Sequence, residues 1–263
     1  MGKITISTLD KMKAAGEKFV CITAHDATFS RLVSEAGAET ILVGDSLGMV
    51  LQGHDSTIPV SLEHMAYHTE CVCRGAPASL VIADMPFMSY STPEQAMTNA
   101  TRLMQAGAQM IKLEGGTWLS DTISMLVERG IPVCAHLGLT PQSVNALGGF
   151  RVQGRTPKEA KSILADAVEI QDAGASLLVL ECVPSHLATD ISDKLDIPVI
   201  GIGAGAGTDA QVLVMHDMLG LSSHSARFVQ NFMTGSNSIQ EALAAFVQAV
   251  KSGAYPRDEH SYS

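Results

Sequence analysis

Eight short apolar runs, rich in Val, Ile and Leu, recur along the chain and constrain its fold more than any other feature. They lie at 19–26, 41–46, 79–86, 110–116, 131–138, 177–182, 197–203 and 211–217. Four of the runs follow a short stop that contains glycine, as at 106–108 and 173–175, which both read Ala-Gly-Ala. Glycine in this setting ends a helix through a left-handed conformation, so each stop predicts a helix followed by a strand.

Amphipathic segments with helical spacing occupy most of the intervals between the runs, as at 93–106, 157–173 and 186–195. Strands that alternate with helices form βαβ units and a parallel sheet. Eight such units within 263 residues predict an α/β protein with a closed (β/α)8 TIM barrel rather than an open doubly wound sheet. We expect one domain over 1–263, with an N-terminal helix (7–15) beneath the barrel and a C-terminal helical tail (239–252).

Composition and charge argue against several classes of protein. The chain is 46% hydrophobic and 17% charged, and its net charge is −10 without any run of Lys or Arg, which disfavours a nucleic-acid partner. The N-terminus lacks an apolar signal segment and no uncharged apolar run reaches about 18 residues, so we expect no membrane partner. Five cysteines without a C-x-x-C pair are typical of a reducing compartment, and we expect a cytoplasmic protein.

Polar side chains stand where several of the apolar runs end, which is where (β/α)8 barrels place their active sites. Burying an ionised carboxylate is unfavourable unless it meets a cation. Asp45, Asp84 and Glu114 therefore predict a divalent metal, and their oxygen ligands favour Mg²⁺ or Mn²⁺. A single Asp after a strand is more often the N-cap of the next helix, and we interpret Asp26 and Asp217 in that way.

Three other features leave alternatives open. Lys112 lies two residues before Glu114, so both face the same side of the strand, and an inward Lys112 must pair with acidic groups. His136 is consistent with either a core histidine or a site residue. The GIGAGAG stretch (201–207) formally matches a dinucleotide fingerprint but lacks the later acidic residue. It is equally consistent with an anion-binding loop or with a tight turn against a neighbouring backbone.

Several motifs together resemble the ketopantoate hydroxymethyltransferase family, from about residue 4 to residue 261. Among them are VGDSLGM (43–49), KLEGG (112–116), HLGLTPQSVN (136–145) and LECVP (180–184). The resemblance implies a TIM barrel of the phosphoenolpyruvate/pyruvate type and a Mg²⁺-dependent enzyme that assembles as a homodecamer. The implied reaction transfers a hydroxymethyl group from 5,10-methylenetetrahydrofolate to 3-methyl-2-oxobutanoate, giving 2-dehydropantoate for pantothenate biosynthesis.

The resemblance also implies roles for individual residues. Asp45 and Asp84 would hold Mg²⁺, Glu114 would complete its coordination sphere, and Glu181 would be the general base. The residues implied to bind the keto acid are Asp45, Ser46, Asp84, Lys112 and His136. One position departs from the family pattern, because His25 stands where the family has Tyr in an Ala-Tyr-Asp triplet.

Three other functions remain as alternatives. A related metal-dependent lyase or mutase would act on another 2-oxo acid, and folate-dependent product formation separates it from a hydroxymethyltransferase. A Schiff-base aldolase would use Lys112 as its nucleophile, but the neighbouring carboxylates favour the protonated amine. A non-catalytic barrel would bind an anionic ligand at 201–207 and would need no metal.

Overall fold

The structure is a computed structural model that describes residues 2–76, 78–222 and 225–263, and its centre is a closed barrel of eight parallel strands. The strands are β1 (Phe19–Thr23), β2 (Thr40–Val43), β3 (Leu80–Asp84), β4 (Met110–Glu114), β5 (Val133–Gly138), β6 (Leu177–Glu181), β7 (Val199–Ile202) and β8 (Ala210–Leu213). Each strand pairs with the next in chain order, and β8 pairs with β1 to close the barrel. The predicted TIM barrel is confirmed, and each of the eight apolar runs contributes one strand.

Helices surround the barrel and connect its strands. They are α1 (Ile6–Ala15), α2 (Ala27–Glu35), α3 (Leu47–Val50), α4 (Leu62–Gly75), α5 (Pro93–Gln105), α6 (Ser120–Glu128), α7 (Val144–Leu147), α8 (Pro157–Asp172), α9 (Ser185–Lys194), α10 (Met215–Met218) and α11 (Ile239–Lys251). Short 3₁₀ turns lie at Thr117–Leu119, Pro141–Ser143 and Asp258–His260. In the stretches of chain that the structure describes, no helix is long and apolar enough to cross a membrane.

Local signals in the sequence explain where these helices begin and end. Thr156 caps α8 with a reciprocal capping box, and Pro157 occupies the first turn, where its missing N–H leaves no bond unmade. Gly107 and Gly174 follow α5 and α8 with φ of 110° and 104°, a left-handed conformation that residues with a Cβ rarely adopt. The helix-then-strand pattern predicted from the glycine stops is therefore confirmed.

The two aspartates that we interpreted as N-caps behave differently. Asp26 Oδ1 accepts hydrogen bonds from the backbone N–H groups of Thr28 and Phe29 at 2.8 and 2.9 Å, so its capping role is confirmed. Asp217 is not an N-cap, because it lies inside α10, whose N-cap is Val214. Its side chain instead accepts a hydrogen bond from the hydroxyl of Ser222. The strand ends at Leu213, and His216 and Asp217 of the predicted run 211–217 belong to the short helix.

The N-terminal helix α1 lies at the bottom of the barrel, as predicted. Lys13 Nζ forms a 2.8 Å ion pair with Asp209 Oδ2, just before β8 begins. The backbone N–H of Ile4 donates to the carbonyl of Ala78, just before β3, at 2.8 Å. Both contacts are at the amino ends of strands, so α1 leaves the opposite end of the barrel open.

Candidate active site

The carboxyl ends of the strands open into one cavity of about 1020 Å³. All the site residues predicted from the sequence line this cavity: Asp45, Ser46, Asp84, Lys112, Glu114, His136 and Glu181. The barrel therefore brings together side chains from β2 to β6 that are up to 136 positions apart, from Asp45 to Glu181, in the sequence. This convergence follows from parallel pairing, because the carboxyl ends of all strands meet at one rim.

Lys112 is the central cation of the site. Its Nζ lies 2.5 Å from Asp84 Oδ1 and 3.7 Å from Glu114 Oε1, and its side chain is 4% exposed. Asp84 and Lys112 are direct partners in the β3–β4 register, which places the two charges side by side. Burial alone would lower the pKa of Lys112, but Asp84, Glu114 and Asp45 together raise it above its ordinary value. Lys112 is thus a permanent ammonium, which disfavours a Schiff-base nucleophile.

Asp45 and Asp84 form a linked carboxylate pair. The backbone N–H of Asp45 donates to Asp84 Oδ2 at 2.9 Å, because β2 and β3 are adjacent in the barrel. Burial, followed by the charges of Asp84 and Glu114, raises the pKa of Asp45 well above its usual range. Asp45 is therefore a buried carboxyl whose ionised form is disfavoured unless a cation comes close to it.

Ser46 follows this pair and carries a buried hydroxyl. Its Oγ has no hydrogen-bond partner among the described residues, although it lines the cavity. Ser46 is also the N-cap of α3 but makes no side-chain capping bond. A buried hydroxyl without a partner is unfavourable, so Ser46 Oγ is available to a polar group that enters the cavity.

His136 bridges two acids across the site. Its Nδ1 lies 3.3 Å from Glu114 Oε1, and its Nε2 lies 3.3 Å from Glu181 Oε2. These are ion-pair distances rather than well-aligned hydrogen bonds. Burial and Lys112 each lower the pKa of His136, but Glu114 and Glu181 outweigh them and raise it to about 9. His136 is therefore an imidazolium at neutral pH that connects Glu114 to Glu181, and it belongs to the site rather than to an apolar core.

Gln142 is a site residue that the sequence reasoning did not single out, although it lies within the HLGLTPQSVN motif. Its Nε2 donates to Asp45 Oδ2 and to the carbonyl of Met85, both at 2.9 Å. Its backbone N–H donates to Glu114 Oε2 at 3.0 Å, and its Oε1 accepts from the Tyr90 hydroxyl at 2.5 Å. Gln142 thus connects two of the three acids, Asp45 through its side-chain amide and Glu114 through its backbone N–H.

The donor set suits a cation that brings some of its own ligands. Across the described ranges, no three His, Cys, Asp or Glu side chains converge closely enough to hold a metal ion without other ligands. Glu114 is engaged by His136, Lys112 and the Gln142 backbone. Both oxygens of Asp84 are also engaged, by Lys112 and by the backbone N–H of Asp45, so a metal ion would have to share or replace some of these contacts. Mg²⁺ commonly takes one or two carboxylates and completes its octahedron with water and substrate oxygens. The metal role of Asp45, Asp84 and Glu114 stays a prediction.

The glycine-rich stretch after β7 serves packing against α9. A Cβ on Gly205 would lie 2.5 Å from the Cβ of Ser185, and one on Gly207 would lie 2.0 Å from Thr189 Oγ1. Such approaches exclude any side chain larger than hydrogen. The structure therefore favours the tight-turn interpretation of 201–207 over an anion-binding loop or a dinucleotide fingerprint.

Comparisons with known proteins agree with this geometry. A family model described as ketopantoate hydroxymethyltransferase matches residues 3–258. The 3-methyl-2-oxobutanoate hydroxymethyltransferase of Shewanella sediminis is 60% identical over 264 residues, with 100% of each chain covered. The 3-methyl-2-oxobutanoate hydroxymethyltransferase 2 of Pseudomonas entomophila is 58% identical over 265 residues, again with 100% of each chain covered.

Solved structures agree on the fold at much lower identity. The phosphoenolpyruvate phosphomutase of Streptomyces platensis has a TM-score of 0.61 at 15% identity, covering 96% of this chain and 88% of its own. A 2,3-dimethylmalate lyase of the PEP mutase/isocitrate lyase superfamily has a TM-score of 0.60 at 16% identity, covering 80% of this chain and 78% of its own. These likenesses show the same (β/α)8 barrel fold. Because the sequence match extends over nearly the whole chain and includes every strand that supplies a site residue, the chain belongs to the ketopantoate hydroxymethyltransferase family.

Proposed function

We propose that this chain transfers a hydroxymethyl group to 3-methyl-2-oxobutanoate, with 5,10-methylenetetrahydrofolate as the one-carbon donor. One water is consumed, and the products are 2-dehydropantoate and tetrahydrofolate. The observation that carries the proposal is the joint placement of the cation Lys112, the bridging His136 and the carboxylate of Glu181 around one cavity. Family membership and the names of the relatives support the same reaction.

The chemical problem is the removal of a proton from C3, a tertiary carbon beside a ketone. The negative charge left by deprotonation moves to the keto oxygen, so fixed positive charge near that oxygen lowers the barrier. Lys112 supplies such a charge, and its raised pKa keeps it protonated throughout. We assign the proton to Glu181, which lines the cavity and is less buried than Asp84 and Glu114, with 15% of its side chain exposed.

The remaining polar groups bind and orient the keto acid. The unpartnered hydroxyl of Ser46 is free to donate to a substrate oxygen. A Mg²⁺ ion held by Asp45 and Asp84, with Glu114 completing its sphere, would polarise the keto oxygen as a Lewis acid. The surroundings of Asp45 support this fit, because burial and then the charges of Asp84 and Glu114 raise its pKa, and a divalent cation would offset both effects.

The size of the cavity supports a second substrate larger than the keto acid. A volume of about 1020 Å³ lies at the upper end of the roughly 300–1,000 Å³ typical of small-molecule sites. Its outer lining includes Met49, Val50, Phe150 and Val152, and Phe150 is 53% exposed. An apolar rim around a charged floor suits the ring system of a folate, whose methylene carbon must reach the keto acid.

The assembly and compartment also belong to the proposal. From the family we infer a cytoplasmic homodecamer. Native mass spectrometry tests the assembly, with an expected mass ten times that of the 27.7-kDa chain. A monomer or dimer at micromolar concentration would overturn this inference without touching the proposed chemistry.

Proton NMR of 3-methyl-2-oxobutanoate in D₂O tests the proposed chemistry most directly. With protein and Mg²⁺ we expect the C3 proton to exchange with solvent, and we expect a metal chelator to stop the exchange. Addition of 5,10-methylenetetrahydrofolate should then convert the keto acid into 2-dehydropantoate. Exchange without folate-dependent product would instead point to a related reaction on another 2-oxo acid, and the absence of both would refute the proposal.

A further inference from the structure

The residue that follows Glu181 has a strained backbone. Cys182 has a φ of 47°, a left-handed conformation that is uncommon for residues other than glycine. Two backbone hydrogen bonds hold it, from its own N–H to the carbonyl of Ile202 and from the N–H of Gln153 to its carbonyl, both 2.9 Å long. Strained residues persist where the surrounding structure over-determines them, and they concentrate at functional sites.

Tyr262, the penultimate residue, contacts both ends of the segment that begins at Cys182. Its carbonyl accepts a hydrogen bond from the backbone N–H of Ser185, the first residue of α9, at 2.9 Å. Its side chain and the thiol of Cys182 line the same cavity, and the hydroxyl and the thiol are close enough for each to affect the pKa of the other. The chain terminus therefore connects the end of β6 to the start of α9, on either side of residues 183 and 184.

The terminal segment is itself held in place beside the cavity, which Tyr262 lines. The guanidinium carbon of Arg227 lies 5.6 Å from the centre of the Tyr262 ring, and Arg227 Nε donates to the carbonyl of Glu259 at 2.9 Å. Gly203 leaves room for the ring, since a Cβ there would lie 3.1 Å from Tyr262 Cε2 and 2.7 Å from Phe228 Cδ1. The ring is thus enclosed by the end of β7 and by the 225–229 segment.

We propose that Tyr262 is a positioning residue for Glu181. By contacting Cys182 and Ser185, the two ends of the 182–185 segment, it keeps the strained backbone in place and the Glu181 carboxylate facing the cavity, 3.3 Å from His136 Nε2. The general-base role of Glu181 rests on the proposed function, whereas the contacts of Tyr262 do not. A base displaced by a fraction of an ångström loses much of its rate while substrate binding is preserved.

Two variants separate the contacts of Tyr262. Tyr262→Phe removes the hydroxyl that meets Cys182, and a chain ended after Ser261 also removes the carbonyl that meets Ser185. Tyr67→Phe is the matched control, because Tyr67 lies on α4, is 62% exposed and does not line the cavity. For each protein we would measure kcat and KM for C3 proton exchange, together with amide deuteration of a peptide spanning 182–186.

We expect Tyr262→Phe to lower kcat about 10-fold and the truncation to lower it by up to about 100-fold, with KM for the keto acid within twofold of the original. We also expect the truncated chain alone to deuterate faster at 182–186, where Ser185 loses its acceptor. Unchanged kcat in both variants, or a change in KM alone, would overturn the positioning role.

The deuteration readout keeps this inference distinct from the proposed function. If the unmodified protein does not exchange the C3 proton, the proposed function fails, and the role of Glu181 as a base fails with it. The connection made by Tyr262 is still tested, because equal deuteration of the truncated and full-length chains would refute it.

Discussion

His25 is a buried histidine whose titration makes the stability of the fold depend on acid. Its ring is 2% exposed, stacks on His216 with 5.9 Å between ring centres, and lies 6.2 Å from the ring of His68. Neither ring nitrogen of His25 has a hydrogen-bond partner in the described part of the chain. Burial, followed by the neighbouring His216 and His68, lowers the pKa of His25 to about 3. His25 is thus neutral in the folded protein at any pH above that value.

The direction of the resulting pH dependence follows from proton linkage. In the unfolded chain this histidine has its ordinary pKa of about 6.5 and is protonated in mild acid, whereas in the folded chain it stays neutral. The free energy of unfolding therefore falls as the pH drops from about 6.5 toward 3. At pH 5, about 1.5 units below the unfolded pKa, protonation of the unfolded histidine stabilises the unfolded chain. His25 alone therefore lowers the free energy of unfolding by about 2 kcal/mol between pH 7 and pH 5.

His25→Phe tests this reasoning, because it keeps an apolar ring at position 25 and removes the titration. His186→Phe is the control, since His186 lies exposed on α9. Urea unfolding of all three proteins at pH 7 and pH 5, at matched concentration, gives the free energy of unfolding. We expect the original chain and the control to lose about 2 kcal/mol more between the two pH values than His25→Phe does. Equal losses in all three proteins would refute the buried-imidazole account.

Three further predictions concern residues at the carboxyl ends of the strands. Glu181→Gln should bind the keto acid with little change but lose C3 proton exchange, as measured by NMR; full exchange would remove Glu181 as the base. Asp84→Ala should weaken Mg²⁺ binding in calorimetry, and an unchanged affinity would contradict its role as a ligand. Gly138→Ala should lower the free energy of unfolding by at least about 1–3 kcal/mol in urea, because its Cβ would lie 2.2 Å from the Glu181 carbonyl at a φ of 88°.

The strands and their polar ends could be predicted because both depend on short-range periodicity. An apolar run that ends in Asp, Glu or His predicts both a buried strand and the residue near which it ends. A parallel barrel then places the carboxyl ends of all strands at the same end of the barrel. The two-residue period predicts that Lys112 and Glu114 face the same side of β4, and the ion pair of Lys112 with Asp84 in the cavity shows that this side is the inner one. The same reliance on periodicity explains why the N-cap prediction for Asp217 was wrong. A four-residue helix directly after β8 is too short to show a periodic signal of its own.

Residues that return to the site from loops could not be predicted in this way. Gln142 lies in a 3₁₀ turn, and its hydrogen bonds to Asp45 and Glu114 depend on how the loop after β5 folds over the barrel. Tyr262 lies 81 positions after Glu181, beyond the last helix, and nothing local relates the two. Both roles come from tertiary contacts, which no periodicity of one segment encodes.

The cavity has a charged side and a largely uncharged side. This arrangement suits the proposed substrate and is consistent with the aliphatic composition of the chain. The charged strand-end residues come from β2 to β6, whereas β7, β8 and β1 contribute the uncharged Ile202, Val212 and Thr23 to the lining. His216 and Asp217, in α10 after β8, are the polar exception on that side. A 2-oxo acid with a branched alkyl group has the same division, since its oxygens need cations and its methyl groups need an apolar wall. Small β-branched side chains build such a wall without filling the cavity, and they also suit parallel strands buried on both faces. The scarcity of aromatic residues, 5% of the chain, is therefore consistent with both the barrel and the small branched substrate.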